Sequence, residues 1–149
     1  MKRFIIILTF IFFYPINSFS DQFNFPNFDI NHPNFLCKEK WTKRGVLDEN
    51  MYNYCMTIQE EGYEEASAIY NEYKSQEWID EVAKFSLEKW TKKGITDYSM
   101  FAYALNTQKE GFLDLMYEIE QKSVTRSSIQ KCTNEWYPQY SMIVYCLKN

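Results

Sequence analysis

The residues able to do chemistry in this chain are few, and their spacing narrows what that chemistry can be. There are 4 Cys and 1 His among 149 residues. The cysteines, Cys37, Cys55, Cys132 and Cys146, stand at least fourteen positions apart. Structural zinc sites use tight Cys-x2-4-Cys pairs, so two disulfides are the better reading of an even set. The lone His32 lies in an Asn-, Phe- and Pro-rich stretch, 21–35, that reads as an irregular arm. A catalytic imidazole needs a rigid supporting shell, and an arm does not supply one. No His-Glu-x-x-His, phosphate-binding glycine loop or Gly-x-Ser-x-Gly occurs, so metalloprotease, P-loop and hydrolase chemistry have no motif to stand on. No cofactor is expected.

Carboxylates remain. The densest set is Glu60, Glu61, Glu64 and Glu65. A glycan-acting enzyme would need one carboxyl desolvated, whereas these four fall on the polar side of their segment. Like charges at i, i+4 cost a helix a little stability, and no Lys or Arg follows four residues on to offset them. The same set is therefore the candidate face for a basic protein partner, weighed against a merely solvated surface. The net charge of −4 removes the electrostatic basis of nucleic-acid binding.

The elements that must position these residues come from an internal repeat. Sliding the sequence by 49 aligns 37–63 with 86–112 and leaves Glu39, Lys40, Trp41, Thr42, Lys43, Gly45, Asp48, Met51, Tyr54, Gln59, Glu61 and Gly62 identical to their counterparts. A truncated third copy closes the chain: Cys132-x3-Trp136 repeats Cys37-x3-Trp41, and Met142-x2-Tyr145-Cys146 repeats Met51-x2-Tyr54-Cys55. A fixed period of this length indicates a stacked supersecondary unit.

Each unit reads as a helical hairpin, so the fold class is all-α: two full repeats and a truncated third, units about 36–75, 76–125 and 127–149 of one domain. The first helix is expected to end at Gly45 with Lys43 and Arg44 in its last turn, and the next to start from the N-cap Asp48, with Lys92, Lys93, Gly94 and Asp97 repeating the signals. Helical spacing then puts Cys55, Ile58, Gly62, Ala66 and Ile69 on one stripe. Gln59 and Gln108 fall inside the apolar arc, which calls for a buried hydrogen bond to a neighbouring hairpin. Trp41 and Trp90 read as core anchors, and Tyr98, Tyr137 and Tyr140, near the turns, as the exposed aromatics. Residues equidistant from a hairpin turn face each other, so Cys37 should pair with Cys55 about Gly45, and Cys132 with Cys146 about Pro138. The middle copy has Ser86 and Ala104 at those two places, a joint loss that pairing within each hairpin predicts.

Residues 1–20 read as a signal peptide: Lys2 and Arg3, a largely apolar run from Phe4 to Tyr14, and small residues at Ser18 and Ser20. Eleven residues span only about 16 Å as helix, too short to cross a membrane core of about 30 Å. Cleavage before Asp21 would leave a chain with no transmembrane segment and, without Lys2 and Arg3, a net charge of −6 instead of −4. The expected location is periplasmic or secreted.

The Cys-x3-Trp … Tyr-Ser-Met-x2-Tyr-Cys arrangement of 132–146, with 37–55 a looser version, resembles short segments of uncharacterised exported bacterial proteins. That resemblance implies an exported helical protein and transfers no functional residue. The expected function is a non-catalytic protein-binding module, by analogy an inhibitor or immunity protein against a cell-envelope enzyme or toxin. The alternatives are a structural or assembly component of the envelope and, third, the carboxylate-based glycan enzyme.

Overall fold

In the computed structural model, which describes residues 23–149, six helices carry the chain and two short ribbons join them. The signal-peptide reading of 1–20 lies outside the described residues. The order is α1 (Asn31–Trp41), β1 (Thr42–Lys43), β2 (Val46–Leu47), α2 (Glu49–Tyr73), α3 (Glu77–Trp90), β3 (Thr91–Lys92), β4 (Ile95–Thr96), α4 (Tyr98–Glu120), α5 (Arg126–Trp136) and α6 (Tyr140–Lys148). The all-α expectation holds, with a correction at the turns.

The first helix stops at Trp41, four residues short of Gly45. Thr42 leaves it in an extended conformation, and Thr42 pairs with Leu47 and Lys43 with Val46 in an antiparallel ribbon. Arg44 (φ 51°) and Gly45 (φ 80°) are both left-handed, as the two central residues of a type I′ turn must be. Lys93 (φ 51°) and Gly94 (φ 77°) repeat this between Thr91–Lys92 and Ile95–Thr96. Lys43, Arg44, Lys92 and Lys93 thus belong to ribbons and not to helix ends. The β-branched Thr42, Val46, Thr91 and Ile95 favour extended backbone, and a two-residue turn lets them pair. The ribbon closes on Asp48, whose N–H donates to the Trp41 carbonyl (3.0 Å), as that of Asp97 does to Trp90 (3.0 Å). Both aspartates are N-caps as expected: Asp48 Oδ1 accepts from the Met51 N–H (3.1 Å) and Asp97 Oδ1 from Met100 (3.2 Å).

The disulfides are Cys37–Cys55 and Cys132–Cys146, joining α1 to α2 and α5 to α6. Ser86 and Ala104, buried between α3 and α4, take the matching places in the middle.

Helices α2, α4 and α6 run in the same sense in a staggered row. Ser99, the counterpart of Asn50, lies against Gly62, twelve positions further along α2 (62 − 50). Ser141, the counterpart of Ser99, lies against Gly111, again twelve further (111 − 99). At 1.5 Å per residue the row climbs about 18 Å per step. The first half of α2 therefore holds its own hairpin partner α1, and its second half holds α4. A Cβ on Gly62 would lie 2.6 Å from the Ser99 Cα, so only glycine lets the two backbones meet.

The main core fills the α2–α4 junction and α3: Ala66, Ile69, Trp78, Ile79, Val82, Phe101 and Leu105 are among its members. A smaller one, Leu115, Cys132, Ile143 and Val144, holds α6 against α4 and α5. The N-terminal segment has no regular structure from Phe23 to Asp29, as expected, but helix α1 begins at Asn31, inside the stretch expected to be irregular. The segment also contributes to the core. Phe25 stacks on Tyr70 (5.1 Å between centroids) and Phe28 lies against Tyr63 and Tyr98 (5.2 Å each).

Candidate interaction surface

His32 sits in the first turn of α1, not in a loose arm. Its Nδ1 accepts the Thr96 backbone N–H (3.3 Å) and lies 3.3 Å from the Tyr98 hydroxyl. A ring nitrogen that accepts an amide N–H carries no proton, so the proton of the neutral ring is on Nε2, which faces the Asp29 carboxylate at 3.6 Å. Asp29 donates its own N–H to the Tyr98 hydroxyl (3.0 Å). The backbone N–H of Asn31, with its side chain, holds the Asp29 carboxyl below its ordinary value. These contacts clasp α1 onto β4 and α4, and the hydroxyl beside the ring, that of Tyr98, is buried within the clasp. Among the described residues, no three His, Cys, Asp or Glu side chains converge as a metal site.

The two glutamines are explained by the stagger. Gln59 is buried; its Nε2 donates to Asp97 Oδ1 (2.8 Å) and Ser99 Oγ (3.2 Å), and its Oε1 accepts the Tyr98 N–H (2.8 Å). Gln108 does the same at the next step, donating to Ser141 Oγ (3.2 Å) and accepting the Ser141 N–H (3.2 Å). Each glutamine satisfies free amides at the start of the following helix, and the glycine three residues on lets that helix come close. These are neighbour-to-neighbour bonds, as the sequence pattern required. Trp41 and Trp90 are half-buried, and both leave the indole N–H buried without a partner among the described residues.

What remains for binding lies on the outside. Glu60, Glu61, Glu64 and Glu65 are all exposed on α2, pointing away from Gln59, Gly62 and Ala66, which are buried. None of the four has an ion pair or hydrogen bond among the described residues. On α4 the counterpart of Glu60 is Lys109, which forms a salt bridge of 3.1 Å with Glu110, the counterpart of Glu61.

The expected exposed aromatics need correction. Tyr98 is 1% exposed and Tyr140 half-buried, because the stagger drives the start of each helix into its neighbour; Tyr137 alone is exposed. Besides Phe35, Tyr117 and Tyr137, the exposed aromatics include Tyr54, Tyr103 and Tyr145, at 62, 66 and 63%. All three occupy one repeat position, directly before Cys55, Ala104 and Cys146. The signal was present in the sequence: the spacing that turns Cys55 and Gly62 inward turns Tyr54 well away from them, at about 100° per residue. Tyr54 borders a cleft lined also by Trp41, Ile58 and Met100, where α1, α2 and the start of α4 meet.

Set against protein families, curated proteins and solved structures, the chain finds no match.

Proposed function

We propose that this chain is an exported, non-catalytic protein-binding module, and that the acidic face of α2 meets a basic protein, in the manner of an inhibitor or immunity protein of a cell-envelope enzyme or toxin. The observation that carries the reading is the set Glu60, Glu61, Glu64 and Glu65, four exposed carboxylates on two successive turns without a compensating cation among the described residues. A partner that supplies cations offsets the cost of desolvating such charges, and their field speeds encounter. The two disulfides fit an oxidising compartment, and the 1–20 segment fits the route to it. No described helix is long and apolar enough to cross a membrane.

The test uses residues 21–149 as bait against envelope extract and culture supernatant, beside a bait in which the four glutamates are Lys. A partner retained by the first bait and lost from the second, with a salt-sensitive association rate, supports the face. Equal retention by both baits removes it. An inhibitor role further requires that the captured protein have an enzymatic or toxic activity that the bait abolishes at one-to-one ratio; an unaffected activity excludes that role.

A further inference from the structure

We propose that Tyr54, Tyr103 and Tyr145 extend this surface along the helix row, and that the occupant is a polypeptide segment carrying arginines; the inference rests on the binding role proposed above. Tyr54, Tyr103 and Tyr145, each more than 60% exposed, present their ring faces at matched positions of successive helices, where a partner can reach them. Tyrosines at the α2–α4 junction are used differently. Tyr63, Tyr70 and Tyr98 all make hydrogen bonds and ring contacts. Tyr54, Tyr103 and Tyr145 make neither with their side chains among the described residues.

Charge decides the class of occupant. Positions seven and eleven after Tyr54 are Glu61 and Glu65, and after Tyr103 they are Glu110 and Asp114, all exposed. At about 100° per residue each tyrosine and its two carboxylates fall within about 40° of one another on the helix surface. The pattern thus recurs on both long helices: an aromatic face, then acidic groups on the same stripe. Opposing charge is present but small. Lys109 is paired with Glu110 (3.1 Å), and Lys40, beside the Tyr54 cleft, lies over the Trp41 ring at 5.5 Å. A guanidinium suits both parts, stacking on a tyrosine ring and donating in a fork to a carboxylate, where an ammonium acts as a point charge. The stagger spaces successive tyrosines by about 20 Å, combining the climb of about 18 Å with a helix-to-helix distance of about 9 Å. An extended partner would cover that step with about six residues.

The experiment titrates the 21–149 protein with two synthetic peptides of equal length and charge, nona-arginine and nona-lysine, while following the ring signals of assigned tyrosines by NMR. The expected result is tighter binding of nona-arginine than of nona-lysine, with shifts at Tyr54, Tyr103 and Tyr145. Replacing the three tyrosines by Ser should weaken nona-arginine binding about tenfold and erase its advantage, whereas Phe at the same places should restore both, because the ring face is kept. All three positions are on the surface, so far-ultraviolet circular dichroism should be unchanged in both variants. Equal affinity for the two peptides, or a Ser variant that binds as the parent does, overturns the tyrosine row. If reversing Glu60, Glu61, Glu64 and Glu65 weakens both peptides equally while the Ser substitutions do nothing, the acidic face stands and the tyrosine proposal alone falls.

Discussion

The two junctions of the helix row are built from the same parts and enclosed very differently. At α2–α4, Gln59 and Gly62 seat Tyr98 and Ser99, and the surroundings are filled by α3 and by the three phenylalanines of the N-terminal segment. At α4–α6, Gln108 and Gly111 seat Tyr140 and Ser141, but only a four-residue buried cluster accompanies them, with Trp78 stacked on Phe112 (4.3 Å) as the main aromatic contact. The difference lies in what flanks a junction, not in the junction itself. The first has material on both sides; the second ends in two helices of 11 and 9 residues. Helices that short are marginal in water without packing or a covalent tie.

The largest expected effect follows from that contrast. Opening Cys132–Cys146 by a double Ser substitution should cost about 3 kcal/mol in the chain-entropy view and release α5 and α6 before the rest. Opening Cys37–Cys55 should cost a similar amount globally, since α1 is also held by His32 and Phe28. Hydrogen exchange checks this: amides of α6 should lose protection in the first variant while those of α4 keep theirs. If both variants lose protection uniformly, the two junctions are equally dependent and the comparison fails.

The middle hairpin offers the opposite experiment. Ser86 and Ala104 are 0 and 8% exposed at the places where the flanking hairpins have cysteines with Cα atoms 5.7 and 5.8 Å apart. The double substitution S86C and A104C should form a third bridge, found by non-reducing peptide mapping. Its gain should stay below the roughly 3 kcal/mol of the chain-entropy view, because a hairpin enclosed on both sides already has little freedom to lose. The Ser86 hydroxyl is buried without a partner, so its removal should add to the gain.

Overpacking probes the junctions directly. Gly62→Ala and Gly111→Ala each force a methyl into the backbone of the next helix, at Tyr98–Ser99 and Tyr140–Ser141. A cost of about 1–3 kcal/mol is expected for each in thermal melts. Gly111→Ala should fall at the low end, because α6 and its disulfide partner α5 end the row and can shift together, whereas Gly62 faces a filled core. Equal penalties would mean that the enclosure at α2–α4 does not stiffen it.

Much of this was legible beforehand. The 49-residue period and the midpoints at 46 and 139, beside Gly45 and Pro138, specify the hairpins and both disulfides, because register in a hairpin is a matter of counting. Gln59 and Gln108 betray a neighbour contact because an amide inside an apolar arc must be satisfied. The ribbons escaped because Lys-Arg-Gly and Lys-Lys-Gly satisfy a helix C-terminus and a type I′ turn alike, and only the β-branched residues on either side distinguish them. The stagger escaped too, since spacing within a helix says nothing about the height of its neighbour. That one omission put Tyr98 and Tyr140 at the surface, whereas the outward turn of Tyr54, Tyr103 and Tyr145 needs only the helical spacing.

The smallest effect separates the junctions by pH. Burial, reinforced by a hydrogen bond to Asp80 (2.8 Å), pushes the Tyr70 phenol up to about 12, and burial with the neighbouring Tyr137 does the same for Tyr140. A phenol raised in the folded state favours folding fully below its unfolded value of about 10, and that contribution disappears as pH rises through 12. Stability should therefore be flat in this respect up to about pH 10 and fall between 10 and 12. Tyr70→Phe should lessen the fall but lose the Asp80 bond at neutral pH, lowering stability there by about 1 kcal/mol. Tyr140 makes no such side-chain bond, so Tyr140→Phe should lessen the alkaline fall with little change at neutral pH. Absorbance titration near 295 nm reads the phenols while circular dichroism reads the fold. If absorbance finds no phenol titrating near 12 while the fold persists, the burial assigned to both junctions is wrong; if Tyr140→Phe weakens the protein at neutral pH as much as Tyr70→Phe, the second junction is as tightly bonded as the first.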